Sequence, residues 1–362
     1  MAAADRLQTI ARARQLLLHE RSGHAVPTLA PWLQRGWQRC QSWGLEPGQA
    51  VDFDAVSPAL MRRVQEENRP LVQAARPVLT ELVRAIGNIG YFAILTNAEG
   101  IVIDVQGPVD RDDRRADVIA RVGVDLSERA VGTTAISAAL TELQPVWLHR
   151  GEHFFDDTGV YSCAGAPVFG PDGHCAGMLD LTGVEVTERP ALKHLVRRSA
   201  RSIENSWLLA SPHALTLRLN WPGNQPGDDS DGLLTLDEDG RITGANPTAR
   251  QMLALDVDDS NAHASDVFAM PWENLFDAAR RDEGFYEVPL WSGLRMQTQA
   301  HRNGHTQAAR TAPRSSGKAL RDVETELIRQ AVVKARGNVA EAARALGISR
   351  ATVYRKLGSP KN

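Results

Sequence analysis

The residues with the plainest chemical potential lie in Gly337–Leu357. Within it, Ser349, Arg350, Thr352, Tyr354, Arg355 and Lys356 bring hydroxyl and guanidinium donors suited to base edges and cations suited to phosphates, while Ala351 is small enough for close approach. That chemistry is the reading of double-stranded DNA. Elsewhere no GxSxG, HExxH, GxGxxG or CxxC pattern occurs, so no catalytic residue, metal site or cofactor is expected. The pairs His174/Cys175 and His301/His305 stand alone in an expected turn and tether.

Two helices and a tight turn must position the basic residues. Asn338 with Glu341 three residues on reads as a helix start, and Gly347 as its end. Ser349 caps a second helix, Ile348 and Val353 form a staple, and Val353 with Leu357 gives that helix one apolar face, leaving the other free. The competing structure is a solvated basic hairpin that packs on its own domain. Upstream, Leu320, Val323, Leu327, Ile328, Ala331, Val332 and Ala335 form an apolar stripe at helical spacing. A three-helix unit of this size is near the ~40-residue limit of independent stability. A second copy is therefore the expected partner, giving a homodimer that reads a palindromic operator with half-sites ~10 bp apart.

The charge distribution agrees. The chain of 362 residues has 41 Lys+Arg and 44 Asp+Glu, a net −3. From Gln299 to Asn362 there are 13 basic and 4 acidic residues, or +9, so residues 1–298 carry −12. A basic tail on an acidic body suits a nucleic-acid-binding end attached to something else. Three cysteines are too few for a disulfide framework. With no apolar run near 18 residues and no signal-peptide core, a cytoplasmic protein with no membrane partner is expected.

The rest of the chain reads as α+β. Residues 1–80 form an N-terminal helical region, with Pro70 and Pro77 breaking or kinking its last helix. Residues 81–210 form a domain of hairpins and helices, the helices covering one face of an antiparallel sheet. Tyr91–Thr96 and Ile101–Val105 flank one turn; Tyr161–Phe169 and His174–Thr182 flank Gly170–Gly173. In that second hairpin Cys163 is expected opposite Leu181 and Cys175 opposite Phe169, about 20 Å apart and beyond disulfide reach. Residues 211–230 read as a linker, 231–297 as a second small α+β domain, 298–317 as a flexible tether and 318–362 as the all-α tail.

The tail closely resembles the Fis-type helix-turn-helix that ends bacterial enhancer-binding regulators. The resemblance implies that Ser349, Arg350 and Thr352 contact bases and that Arg355 and Lys356 hold the backbone. The body resembles the acetoin-catabolism-regulator type of sensory region, through Trp37–Cys40 with Gly44–Pro47, Gly123–Glu128, Val131–Ile136, Gly151–Phe154, and Cys163–Pro167 through Gly177–Gly183. This implies a GAF sensor domain at 81–210, and Gly232–Leu255 resembles the opening of a PAS domain. Such modules are pockets for small ligands, and short alcohols, ketones and polyols are what the family implies. Thr134 stands where the family usually has Asn.

Candidate effector-pocket residues are Thr134, Trp147, His153, Tyr161 and Cys163, each with an alternative as core aromatic or structural histidine. Family members normally carry an ATPase domain between sensor and tail. Here Gly317-Lys318 is followed by Ala319 and preceded by Ala312 where the loop needs Gly, so no G-x-x-x-x-G-K-S/T is present. The expected function is effector-responsive DNA binding without ATP-driven sigma-54 activation. The alternatives are a partner that heterodimerises with a full-length sigma-54 activator, or an enzyme with a DNA-binding appendage.

Overall fold

The computed structural model describes residues 3–20, 29–53, 56–259, 261–281 and 283–303, with Val339 and Ala343 in the tail. By its contacts the chain divides into Met1–Gly304 and His305–Asn362. In the second unit Val339 and Ala343 are helical and Ala343 is buried.

The first unit opens with α1 (Ala3–Arg14), α2 (Pro31–Ser42), α3 (Pro58–Glu67) and α4 (Arg69–Ile86). Asn68 separates α3 from α4, where Pro70 sits in the first turn; Pro77 lies inside α4 without ending it. The strands β1 (Tyr91–Asn97) and β2 (Val102–Gln106) follow, then α5 (Arg114–Ile119), α6 (Glu128–Val131) and α7 (Ala135–Glu142). After them come β3 (Val146–His149), β4 (Tyr161–Phe169), β5 (Cys175–Val184) and α8 (Leu192–Ala210). The five strands form one sheet in the order β2-β1-β5-β4-β3, with every neighbour antiparallel.

Both faces of this sheet are covered, where the sequence suggests one. Tyr91, Ala93 and Leu95 of β1 pack with α4 and α8, while Phe92 and Ile94 pack with α2 and α7. Burial on both faces turns each strand into a run of apolar residues instead of an alternation with polar ones. The N-terminal helices thus belong to the same layered body. Trp37 of α2 is buried and donates Nε1–H to the Glu152 carbonyl at 3.0 Å, tying α2 to the loop after β3.

The second sheet combines β6 (Leu215–Asn220), β7 (Gly232–Leu236), β8 (Ile242–Ala245), β9 (Tyr286–Pro289) and β10 (Arg295–Arg302) in the order β8-β7-β6-β10-β9. Its helices are α9 (Pro247–Leu253), α10 (Ala264–Val267) and α11 (Glu273–Arg281). The fold class is therefore α+β, as expected, with two antiparallel sheets. Two expected boundaries shift. The central strand β6 lies inside the expected linker 211–230, because Leu215, Leu217 and Leu219 alternate into the second core. β10 likewise runs through residues 298–302 of the expected tether.

The sheets are joined through α8 and the β4–β5 turn. Asn246 donates to Asn205 Oδ1 at 2.9 Å, and the Pro171 carbonyl accepts from Ala245 N at 3.0 Å and Arg250 Nη2 at 3.2 Å. Within the hairpin, a bulge at Val168/Phe169 shifts the register by one residue. The Phe169 N–H is taken up by Glu204 Oε1 of α8 at 3.0 Å. Burial pushes the Glu204 carboxyl up to about 8. The folded state therefore holds a proton that the unfolded chain releases near 4.5, and this stabilisation is lost as pH rises towards 8. Glu204→Gln keeps an acceptor for Phe169 and removes the charge. Urea unfolding at pH 8 is expected to find the variant about 2–4 kcal/mol more stable than wild type, with the gap closing by pH 5; an equal gap at both values would count against this account.

Candidate functional site

A small cavity lies between the first sheet and the helices of the α2/α7 face. Thr134, His153, Tyr161 and Cys163 line it, together with Asp180 and Thr182 and apolar side chains such as Phe53, Ile94 and Ile136. It offers about 30 Å³ to a water-sized molecule, more than the ~10–15 Å³ that admits one water.

Each polar lining group has a distinct state. His153 is buried and its Nδ1 lies 2.8 Å from the Arg150 carbonyl, which only accepts; Nδ1 therefore carries the proton. Burial lowers the imidazole to about 4, so the ring is neutral and Nε2 is a bare acceptor with no partner among the described residues. Arg14 holds the His153 carbonyl at 2.5 Å and the Phe154 carbonyl at 3.1 Å, so the N-terminal segment fixes the loop that carries the imidazole. Tyr161 packs edge-on to His153 at 6.4 Å, and its hydroxyl is spent on the Arg115 carbonyl at 2.9 Å.

Asp180 is fully buried on β5, opposite Ile94 of β1 and Gly165 of β4. Its Oδ2 accepts from the Thr182 hydroxyl, which also meets Cys163 Sγ at 3.3 Å, while Oδ1 has no partner among the described residues. Burial pushes the carboxyl up to about 7 and the Cys163 thiol well above its ordinary range. Thr134 caps α7 reciprocally with Ser137, so its first duty is to the helix start.

The structure thus brings together four of the five expected pocket residues. Trp147 is the exception. Along β3, Val146 and Leu148 point to the α2/α7 face and Trp147 to the opposite one, where its Nε1–H reaches Glu188 Oε1 at 3.4 Å. Asp180 and Thr182 escaped the sequence reading because the bulge sets Cys163 opposite Thr182 and not Leu181. The visible signal was the polar alternation Asp180, Thr182 within an apolar strand. Cys175 does pair with Phe169, and all three cysteines are free thiols.

The expected DNA-contacting residues Ser349, Arg350, Ala351, Thr352, Tyr354, Arg355 and Lys356 lie outside the described residues. Among the described residues no group of His, Cys, Asp or Glu is arranged to hold a metal, and no helix is long and apolar enough to cross a membrane.

Comparison with known proteins finds two family matches. Residues 10–205 match the family described as MimR, N-terminal domain, and residues 319–358 match the Fis family of bacterial regulatory proteins. The chain is 31% identical over 261 residues to the acetoin catabolism regulatory protein of Cupriavidus necator, covering 70% of this chain and 39% of that protein. It is 29% identical over 205 residues to MimR of Mycolicibacterium goodii, a propane 2-monooxygenase operon transcriptional activator, covering 56% of this chain and 34% of that protein. The chain thus spans less than half the length of these relatives. Among solved structures, the E. coli DhaR(N)–DhaL complex aligns with a TM-score of 0.46 at 15% identity, over 75% of this chain and 99% of that one.

Proposed function

The chain belongs to the MimR N-terminal domain family and ends in a Fis-family segment, and from this we propose that it is a DNA-binding transcriptional regulator whose body takes a small-molecule effector. The observation that carries the reading is the coincidence of the Fis-family match at 319–358 with the cap, turn and staple spacing of Asn338–Leu357. Effector sensing is supported by the cavity, which holds two buried polar atoms without protein partners. The names of the relatives favour control of genes for the catabolism of small carbon compounds.

In this reading residues 81–210 are a GAF sensor, 231–297 a PAS-like module and 318–362 the reader. Two copies pair on a palindromic operator in the cytoplasm, and effector binding shifts operator affinity by population shift. The chain has no phosphate-binding loop, so it acts without ATP-driven sigma-54 activation of its own.

Fluorescence anisotropy of the full chain on a labelled duplex from upstream of its operon is the test. The expected result is preference over an unrelated duplex and a steep fall in affinity between about 50 and 200 mM salt. Equal affinity for both duplexes would make the tail a protein-docking module and move the heterodimer with a sigma-54 activator to first place.

A further inference from the structure

Resting on the sensing reading, we propose that the cavity takes a small molecule that donates hydrogen bonds at two points and carries no negative charge, anchored by His153 Nε2 and Asp180 Oδ1, and that its binding expels a proton from Asp180.

The two atoms leave little choice of ligand chemistry. Nε2 can only accept, because Nδ1 is committed as a donor to the Arg150 carbonyl. Oδ1 belongs to a carboxyl whose other oxygen already takes the Thr182 hydroxyl. Both are buried without a protein partner, and the remaining wall is largely apolar. A buried acceptor left unpaired costs about 1–3 kcal/mol, so a molecule offering a donor to each recovers what the empty cavity forfeits. A pair of hydroxyls does this, as does an ammonium with its three N–H donors. A carbonyl can accept from Oδ1 only while Asp180 is un-ionised and cannot donate to Nε2 at any pH, and a carboxylate is repelled by ionised Asp180.

The proton linkage follows from what surrounds Asp180. β1 presents Ile94, α7 presents Ala135 and Ile136 beside Thr134, and β4 presents Tyr161 and Cys163; among the described residues no Lys or Arg lines the cavity. Burial keeps the phenol and thiol neutral by raising them and His153 neutral by lowering it. Among the described lining residues Asp180 is therefore the group that titrates between pH 6 and 8. A donor to Oδ1 binds the ionised carboxylate, so below the titration point the acid proton leaves Oδ1 for solvent as the ligand enters.

The test is isothermal titration of the full chain at pH 6 and pH 8 with four compounds of similar size: propane-1,2-diol, 1-aminopropane, butanone and propanoate. The diol and the amine are expected to bind at least about tenfold tighter than the other two. Their affinity should rise about tenfold from pH 6 to pH 8, and titration in two buffers at pH 7 should report release of about half a proton. Asp180→Asn is expected to flatten the pH dependence and to weaken the amine more than the diol. The wild-type pH series stands whether or not that variant folds.

Butanone or propanoate binding as tightly as the donors would overturn the anchor assignment and leave sensing intact, as would wild-type affinity for the donors that is flat or falling with pH. No heat from any of the four, with the anisotropy on DNA also unmoved by them, would overturn the proposal and the sensing reading together.

Discussion

Replacing Arg350 and Arg355 with alanine should lower the affinity of the full chain for its preferred duplex about a hundredfold or more, and leave only weak, sequence-indifferent binding. In the proposed reader the sequence spacing puts Arg350 in the first turn of the expected second helix, from which a donor fork would reach base edges; one such contact discriminates by about 1–3 kcal/mol, and a two-fold pair would make it twice. At helical spacing Arg355 is expected one turn and a half further on, away from Val353 and Leu357, and in the proposed reader it would meet phosphate, so its loss should reduce the salt slope by about one per site. Neither residue belongs to the apolar stripe, so circular dichroism should match wild type. Undiminished, salt-sensitive binding by the double variant would remove this helix from the interface.

Gly177→Ala should destabilise the first sheet by about 3 kcal/mol or more. Gly177 pairs with Asn97 on one side and Val168 on the other, in the middle of the sheet. An added Cβ would stand 2.0 Å from the Thr96 carbonyl oxygen. That oxygen is backbone, so no rotamer relieves the clash, and the β1–β5 ladder that carries Asp180 and Thr182 must part. Gly159→Ala is the control, since nothing lies within 4 Å of its Cβ position. Urea denaturation should separate the two by at least about 2.5 kcal/mol; similar midpoints would mean that the strands yield without loss of stability.

What could be read from the sequence, and what could not, divides along physical lines. The strand Tyr161–Phe169 and the helix beginning at Leu192 were legible because local signals and tertiary role agree there. Thr134, His153, Tyr161 and Cys163 were found as pocket residues, although the phenol of Tyr161 and the hydroxyl of Thr134 serve the scaffold. Trp147 was misplaced because an aromatic in a short strand carries no mark of which face it takes. Asp180 was hidden by the bulge at Val168/Phe169, which no local residue announces and which reverses the facing of every later residue in β5. β6 was hidden by composition: Leu215, Leu217 and Leu219 alternate cleanly, yet Pro, Gly, Asn and Asp crowd the residues that follow.

The turn at Pro171–Gly173 has a consequence for how this body tolerates change. Hairpin tips are ordinarily where chains accept insertions, tags and drift, because nothing depends on them. This tip is a keystone: its Pro171 carbonyl is shared by Ala245 of β8 and Arg250 of α9, and the Arg250 side chain lies so close to Gly173 that a Cβ there would fall 2.4 Å from Nε. The two sheets therefore have to evolve as one piece at this point, each substitution on the tip constrained by a strand more than seventy residues away.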